Sequence, residues 1–306
     1  MASLKNIKLK ILSVKKTSTV THAMEAVSAV KMRKSQERAL SGRMYAATAL
    51  SVLERISGTT DVRSNALMQE REGKTCFVIV TSDKGLAGSL NSGVVRLAEQ
   101  EILRCDLEKK DIIVIAIGRR GGDYFASRGY DVRIKHENMS DGVSEEEMRT
   151  VTDKVLERHA AGEIGNCTVI YTNFLSTFEQ QPTTRQIVPI TAAMMEQMVA
   201  NIRPARGKYA PLSAMERVPA PKAYTIEPDA GSVLALLLPK LLNIAVFHAL
   251  LESKASEHSA RMVAMKNATD KARDMSKTLT RTFNKVRQAA ITREVSEITS
   301  GIEAMR

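Results

Sequence analysis

Residues 268–290 read Ala-Thr-Asp-Lys-Ala-Arg-Asp-Met-Ser-Lys-Thr-Leu-Thr-Arg-Thr-Phe-Asn-Lys-Val-Arg-Gln-Ala-Ala, and the fold follows from this stretch. Ala268, Ala272, Met275, Leu279, Phe283, Val286 and Ala290 recur three or four positions apart, the period of an α-helix with one narrow apolar line. A narrow line flanked by charged and small residues is the seam of a two-stranded coiled coil rather than the broad face of a globular helix. Ile291, Val295, Ile298, Ile302 and Met305 carry the alternation on, slightly rotated. At the other end of the chain Leu4, Ile7, Ile11 and Val14 repeat it, and Met24 and Val27 resume it.

The spacing of helix breakers supports this reading. Before Gly58 the only glycine is Gly42, the first proline is Pro182, and after Pro239 neither residue occurs until Gly301. Both ends therefore read as long helices. A run of about 60 residues at 1.5 Å each is roughly 90 Å of helix, longer than a compact domain of this size is wide. Such a helix needs a partner along its seam, and the other terminal helix, running antiparallel, is the natural one.

Between the helices the pattern changes. Thr75–Thr81, Asp111–Ile117 and Thr168–Phe174 are short apolar runs rich in β-branched residues, with a further short strand near Val132. Helical patterns over Val94–Leu103 and Ser144–His159 alternate with them, which implies a parallel sheet wound in the Rossmann manner. Pro204, Pro211, Pro219, Pro221 and Pro228 mark an extended connection. The expected organisation is an N-terminal coiled-coil helix over 1–58, a Rossmann-like α/β body over 74–190, the connection over 191–228, and a C-terminal coiled-coil helix over 229–306.

Composition narrows the function. Aromatic residues make up only 4% of the chain, Trp is absent and Met numbers 15, which suits long helices better than a broad core. A formal charge of +11 points to an acidic partner: nucleic acid, an anionic membrane or an acidic protein. The lysines and arginines of the first 44 residues have no aromatics among them for base stacking, which argues against nucleic acid. Cys76, Cys105 and Cys167 are odd in number and widely spaced, so they read as reduced core or near-core residues. The N-terminus interleaves lysine with apolar residues and is expected to carry no secretory or targeting segment. Val233–Leu251 is apolar, but Pro239, Lys240, Asn243 and His248 interrupt it, so it reads as a buried helix face of a soluble protein.

No constellation asks for catalysis. The turn Ser82–Asn91 (SDKGLAGSLN) follows a strand and precedes a helix, with Gly85 and Gly88 placed to let backbone amides approach an anion. It lacks both GxGxxG and GK[ST], so it reads as a tight body turn, and Gly118–Asp123 reads likewise, with Arg119 and Arg120 solvated. The five histidines have no metal-ligand spacing, and His258 reads as surface decoration on a long helix. No metal, cofactor or direct small-molecule substrate is expected.

Several long motifs carry a specific resemblance. Residues 250–270 (LLESKASEHSARMVAMKNATD) and 283–301 (FNKVRQAAITREVSEITSG) resemble the C-terminal helix of the gamma subunits of rotary ATP synthases. Residues 2–17 and 23–32 resemble that family's first helix, and SDKGLAGSLN its body motif. The departures are small: Lys84 where Arg is usual, Ala87 and Ser89 where Cys and Gly often stand, Arg281 for an apolar residue, and Phe283 for Tyr. Residues 191–224 look divergent, and the added cysteine pair of the chloroplast branch is missing.

The resemblance implies a non-catalytic rotor shaft. Its helices would run inside a ring of alpha and beta subunits, with the body bound to an epsilon-type subunit and to the membrane ring of proton-carrying subunits. It would lie peripherally on the cytoplasmic face of a bacterial plasma membrane or the matrix face of the mitochondrial inner membrane. The family's contacts with alpha and beta subunits map onto Met24, Lys31, Arg33, Lys34, Arg287, Gln288 and Thr292, and Tyr224 would lie on the membrane-ring or epsilon side. Two other readings stay open on the residues alone: a nucleotide-binding α/β enzyme and a basic coiled-coil nucleic-acid binder.

Overall fold

The computed structural model describes residues 4–41, 67–69, 71–190, 227 and 229–305. Residues 42–58 of the expected first helix, and residues 191–226 and 228 of the proline-containing connection with Tyr224 among them, lie outside the described residues. The chain divides into two compact units, one made of residues 1–28 and 261–306, the other of residues 29–260.

The larger unit is built on a five-stranded sheet. Its strands are β1 (Lys74–Val80), β2 (Ile112–Ile117), β3 (Asp131–His136), β4 (Ile164–Phe174) and β5 (Gln180–Val188), in the order β3-β2-β1-β4-β5. The first four are mutually parallel, as expected, but β5 pairs antiparallel with β4. Its sequence, QQPTTRQIV, is mostly polar and contains a proline, so nothing in its pattern announces a strand. Pro182 is compatible with pairing because β5 is an edge strand.

Helices cover both faces. On one side α2 (Leu90–Arg104) and α3 (Arg119–Ser127) pack Val94, Ala98, Ile102 and Phe125 onto Phe77, Ile79, Ile112, Val114 and Ile170. On the other, α4 (Glu145–Ala160) packs Met148, Val151 and Val155 onto Val78, Val80, Ile115, Val169 and Tyr171. All six residues of β2 are buried, as a parallel strand covered on both faces requires. The start of α4 is fixed by a capping box: the Glu147 amide donates to Ser144 Oγ (3.1 Å) and the Ser144 amide to the Glu147 carboxylate (2.7 Å).

The last helix, α5 (Ala230–Ala304), has 75 residues, about 110 Å of helix. Its first turns belong to the body's core: Leu234, Leu238, Leu241, Leu242, Ala245, Val246, Ala249 and Leu250 join the cluster beneath α4. By length and composition this stretch would pass for a membrane span, but 61% of its most apolar window is buried inside the protein. Pro239 sits within the helix and withholds a donor from the carbonyl of Ala235, on an exposed flank where water can replace it.

The smaller unit is an antiparallel helix pair. α1 (Leu4–Ser41) and α5 meet at Thr21 and Thr269, whose buried hydroxyls lie 2.6 Å apart. With that register, residues 18, 14, 11, 7 and 4 fall level with about 272, 276, 279, 283 and 286. These are the less exposed positions on both helices, and their alternation of three and four is unbroken. The seam is thus a strict heptad, as predicted, but its phase differs in two places. Met275 is 57% exposed and Val27 55% exposed, while the polar Ser276, Thr269, Ser18 and Thr21 hold the inward positions. Following the apolar residues rather than the phase misplaces them, because small hydroxyl side chains are accommodated where the helices approach closely.

Candidate functional site

In open α/β sheets, ligands bind where the parallel strands end. Here the β1–α2 turn and the N-terminus of α3 lie side by side at the ends of β1 and β2, and protein groups take up the first amides of α3. The first amides of α3 would face a phosphate in a nucleotide-binding protein. Instead the Arg119 amide donates to Asp83 Oδ1 (3.0 Å), the Arg120 amide to the Ser82 carbonyl (3.2 Å) and the Gly121 amide to Thr81 Oγ1 (2.8 Å). The Asp83 carboxylate occupies the anion's place. Gly118 has φ +97°, and a Cβ there would lie 2.1 Å from the Thr81 carbonyl oxygen, so the two strand ends are in direct contact.

The SDKGLAGSLN turn is braced from within. Ser82 Oγ donates to the Lys84 carbonyl (2.6 Å), the Ser82 amide donates to Asn91 Oδ1 (2.9 Å), and Asn91 Nδ2 donates to Ser82 Oγ (2.8 Å). Gly88 adopts φ +58°, a conformation glycine takes without penalty, and Leu86 holds φ +66° with its side chain exposed. Gly85 lies under the Arg120 guanidinium, 3.1 Å from the position a Cβ would take. The strand-to-helix turn expected from the motif is what forms. Gly118–Asp123, read only as a turn, also opens the nine-residue α3, which is short and glycine-rich and so leaves little periodicity. Arg119 and Arg120 are exposed, and Arg119 Nε reaches Glu137 at 3.4 Å.

The cationic cluster of α1 divides. In the larger unit, Lys31 Nζ lies 2.7 Å from Asp141 Oδ2, and Arg38 donates to the Asp141 carbonyl (2.9 Å). His258 Nε2, on α5, takes the other carboxylate oxygen at 2.9 Å, and Lys254 donates to the Met139 carbonyl (3.1 Å). One carboxylate in the β3–α4 loop therefore fastens both terminal helices to the body. The hydrogen bond from His258, and secondarily Lys31, holds the Asp141 carboxyl well below the ordinary carboxylate range against the opposing effect of burial. His258 is 3% exposed and is no surface decoration; its partner lies 117 positions away, beyond the reach of any sequence pattern. Arg33 and Lys34 are exposed.

A second buried polar group joins the sheet to α5. Arg185 donates to the Tyr171 hydroxyl (2.5 Å) and lies 4.0 Å from Glu252, and His248 Nδ1 is 3.4 Å from the same carboxylate. Burial is the main cause that pushes the Tyr171 phenol far above its usual range, with Glu252 adding to it. Cys76 and Cys167 stand side by side on β1 and β4, both fully buried, and burial raises the Cys167 thiol well above normal. Cys105, expected near the core, is exposed at the end of α2. Among the described residues no group of three or more His, Cys, Asp or Glu is arranged to hold a metal ion.

The helix pair presents the remaining candidates. Met24 is half-buried and its carbonyl accepts from Ser28 Oγ (2.7 Å). Arg287, Gln288 and Thr292 are exposed on α5, with the Thr292 hydroxyl donating to the Gln288 carbonyl (3.0 Å). Beyond about Ala290 the register leaves α5 without α1 beside it, and Ile291, Val295, Ile298, Ile302 and Met305 are between 52% and 85% exposed. Sequence periodicity alone places this line in the coiled-coil seam; the structure leaves it open.

A braced α/β body and an antiparallel helix pair whose exposed surfaces are apolar and cationic define a class of protein that works through contacts with other polypeptides. Comparison with known proteins gives the family. The chain belongs to the ATP synthase family, whose model matches residues 3–305. It is 36% identical over 306 residues to the ATP synthase gamma chain of Pelotomaculum thermopropionicum, with both chains covered in full. Among solved structures, its fold is similar to a chain of the Euglena gracilis mitochondrial ATP synthase (OSCP/F1/c-ring, rotational state 3). The TM-score is 0.64 at 17% identity, over 99% of this chain and 94% of that one. It is also similar to a chain from the central stalk and c-ring of the Tetrahymena thermophila mitochondrial ATP synthase, with TM-score 0.57, 21% identity, and 81% and 99% of the two chains covered.

Proposed function

We propose that this chain is the non-catalytic central shaft of a rotary, proton-translocating ATP synthase. Its full-length kinship to gamma chains supports the assignment, and one observation carries the mechanics. The Thr21–Thr269 register fixes the two helices along a strict heptad while leaving the last turns of α5 open and apolar. A shaft needs both properties: a seam that resists slippage when torque is applied, and a tip that another protein encloses.

In this reading alpha and beta subunits form that enclosure. Ala289, Ala290, Ser296, Ser300 and Ala304 keep the tip's contacts shallow enough for rotation, and Arg287 and Gln288 hydrogen-bond beta-subunit loops at some angles and not at others. Met24, Arg33 and Lys34 face acidic beta-subunit loops, with Lys31 shared between that face and Asp141. The body engages the epsilon-type subunit and the membrane ring of proton-carrying subunits, which places the chain on the cytoplasmic or matrix face of the membrane.

The test is to purify the chain with alpha and beta subunits and count copies per complex. One copy against three of each is expected, and equal stoichiometry overturns the reading. Arg287→Ala combined with Gln288→Ala leaves folding intact, since both side chains are exposed, but lowers ATP-driven proton pumping in the assembled complex. Normal pumping by the assembled double variant contradicts the role given to this pair.

A further inference from the structure

Within the larger unit α5 meets the body through two kinds of contact. Leu238, Leu242, Ala245 and Ala249 bury aliphatic surface, a non-directional gain that holds the helix on the body without naming one angle. The second kind is charged and directional. Arg185, on the edge strand β5, is the only buried lysine or arginine among the described residues. Its guanidinium donates to the fully buried Tyr171 hydroxyl (2.5 Å) and lies 4.0 Å from the buried Glu252 carboxylate of α5. The Tyr171 phenol hydrogen-bonds that same carboxylate. Six positions further along α5, His258 meets Asp141 of the body at 2.9 Å.

Positions 252 and 258 are about 9 Å apart along the helix axis and about 120° apart around it, so the two contacts together specify both height and angle. Their polarity is opposite: the body offers a cation to Glu252 and an anion to His258. No neighbouring turn of α5 reproduces that pattern. A slide of one turn in one sense brings His248 to Arg185 and Lys254 to Asp141, which satisfies the anion but takes the carboxylate from the guanidinium. A slide in the other sense brings Ser256 and Met262, which satisfies neither. A buried charge left without its partner is strongly disfavoured, so the charged contacts single out one register.

We propose that Arg185 and Glu252 are a positioning pair: with Asp141 and His258 they key the height and rotary angle of α5 on the body, so that torque crosses this joint without slip. The keying is a property of the chain itself, and only its use under torque rests on the proposed shaft function.

The test combines Tyr171→Phe, Arg185→Met and Glu252→Met in one full-length chain. This triple variant leaves none of the three groups buried without its partner, and its unfolding temperature should match or exceed that of wild type. Disulfide crosslinking in a Cys105→Ser background reads the register. Ser259 donates to the Thr177 carbonyl at 2.6 Å, so Thr177→Cys with Ser259→Cys reports the native register. Thr177→Cys with Ala255→Cys reports the slide that sets Lys254 at Asp141. With Arg185 and Glu252 in place the native crosslink should dominate, and the triple replacement should speed the shifted one roughly a hundredfold. Arg185→Lys alone keeps the charge and should retain the native crosslink. A triple variant without the shifted crosslink overturns the proposal. So does one that fails to fold, because the pair would then hold the fold rather than its register. Assembled with alpha, beta, epsilon-type and membrane-ring subunits, the triple variant should pump fewer protons per ATP hydrolysed than wild type, and equal coupling overturns the use under torque. If wild type does not join these subunits, the shaft reading itself fails, and the crosslinks decide the keying by themselves.

Discussion

Replacing Asp141 by Asn tests whether one carboxylate fastens both terminal helices to the body. The side chain keeps its size and one acceptor oxygen but loses its charge. Lys31 and Asp141 are 48% and 29% exposed, so that ion pair contributes about 0.5 kcal/mol. The His258 side chain is only 4% exposed, and its hydrogen bond to a charged partner contributes about 1.5–3 kcal/mol, part of which an amide oxygen retains. The expected cost is about 2 kcal/mol, or roughly 0.7 M in the urea midpoint if m is near 3 kcal/mol/M. Circular dichroism at pH 5 measures it. The pH dependence gives a second check. The folded carboxyl is held below its ordinary 3.8, so its contribution is complete above that value and is lost as pH falls below it. The asparagine variant has no such titration. The gap between the two proteins should therefore narrow by about 1 kcal/mol at pH 3. Equal midpoints at pH 5, or a gap that persists undiminished at pH 3, refute the fastening argument.

Two further substitutions address packing. Thr269→Val leaves the buried Thr21 hydroxyl without its 2.6 Å partner and should cost about 1 kcal/mol, with Thr21→Val in the same chain recovering part of it; thermal unfolding of the four proteins in the cycle measures the coupling. Gly118→Ala must place a Cβ 2.1 Å from the Thr81 carbonyl at φ +97° and should prevent normal folding, whereas Gly88→Ala meets nothing within 4 Å and should cost only about 1 kcal/mol for its left-handed backbone. Soluble yield and the unfolding midpoint separate the two.

The parts of the fold that announced themselves in the sequence share a physical cause, namely local periodicity. β2 is an unbroken apolar run because both its faces are covered, α4 follows the helical pattern of Ser144–His159, and the terminal helices show the coiled-coil period. β5 was invisible because its strand state comes from pairing with β4, not from its own polar composition. Apolar spacing alone misplaces the seam's phase at Val27 and Met275, because Thr and Ser at inward positions give no hydrophobic signal. Of the candidate site, Arg33, Lys34, Arg287 and Gln288 are exposed, while no pattern in the sequence marks Asp141. Asp141 matters through residues 110 and 117 positions away, a relation that leaves no trace in spacing.

The uncovered line from Ile291 to Met305 bears on how the molecule survives before assembly. Among the described residues nothing covers this line, and an exposed apolar line of this kind favours association between copies in solution. Burying that line against an enclosing polypeptide removes the same apolar surface from water.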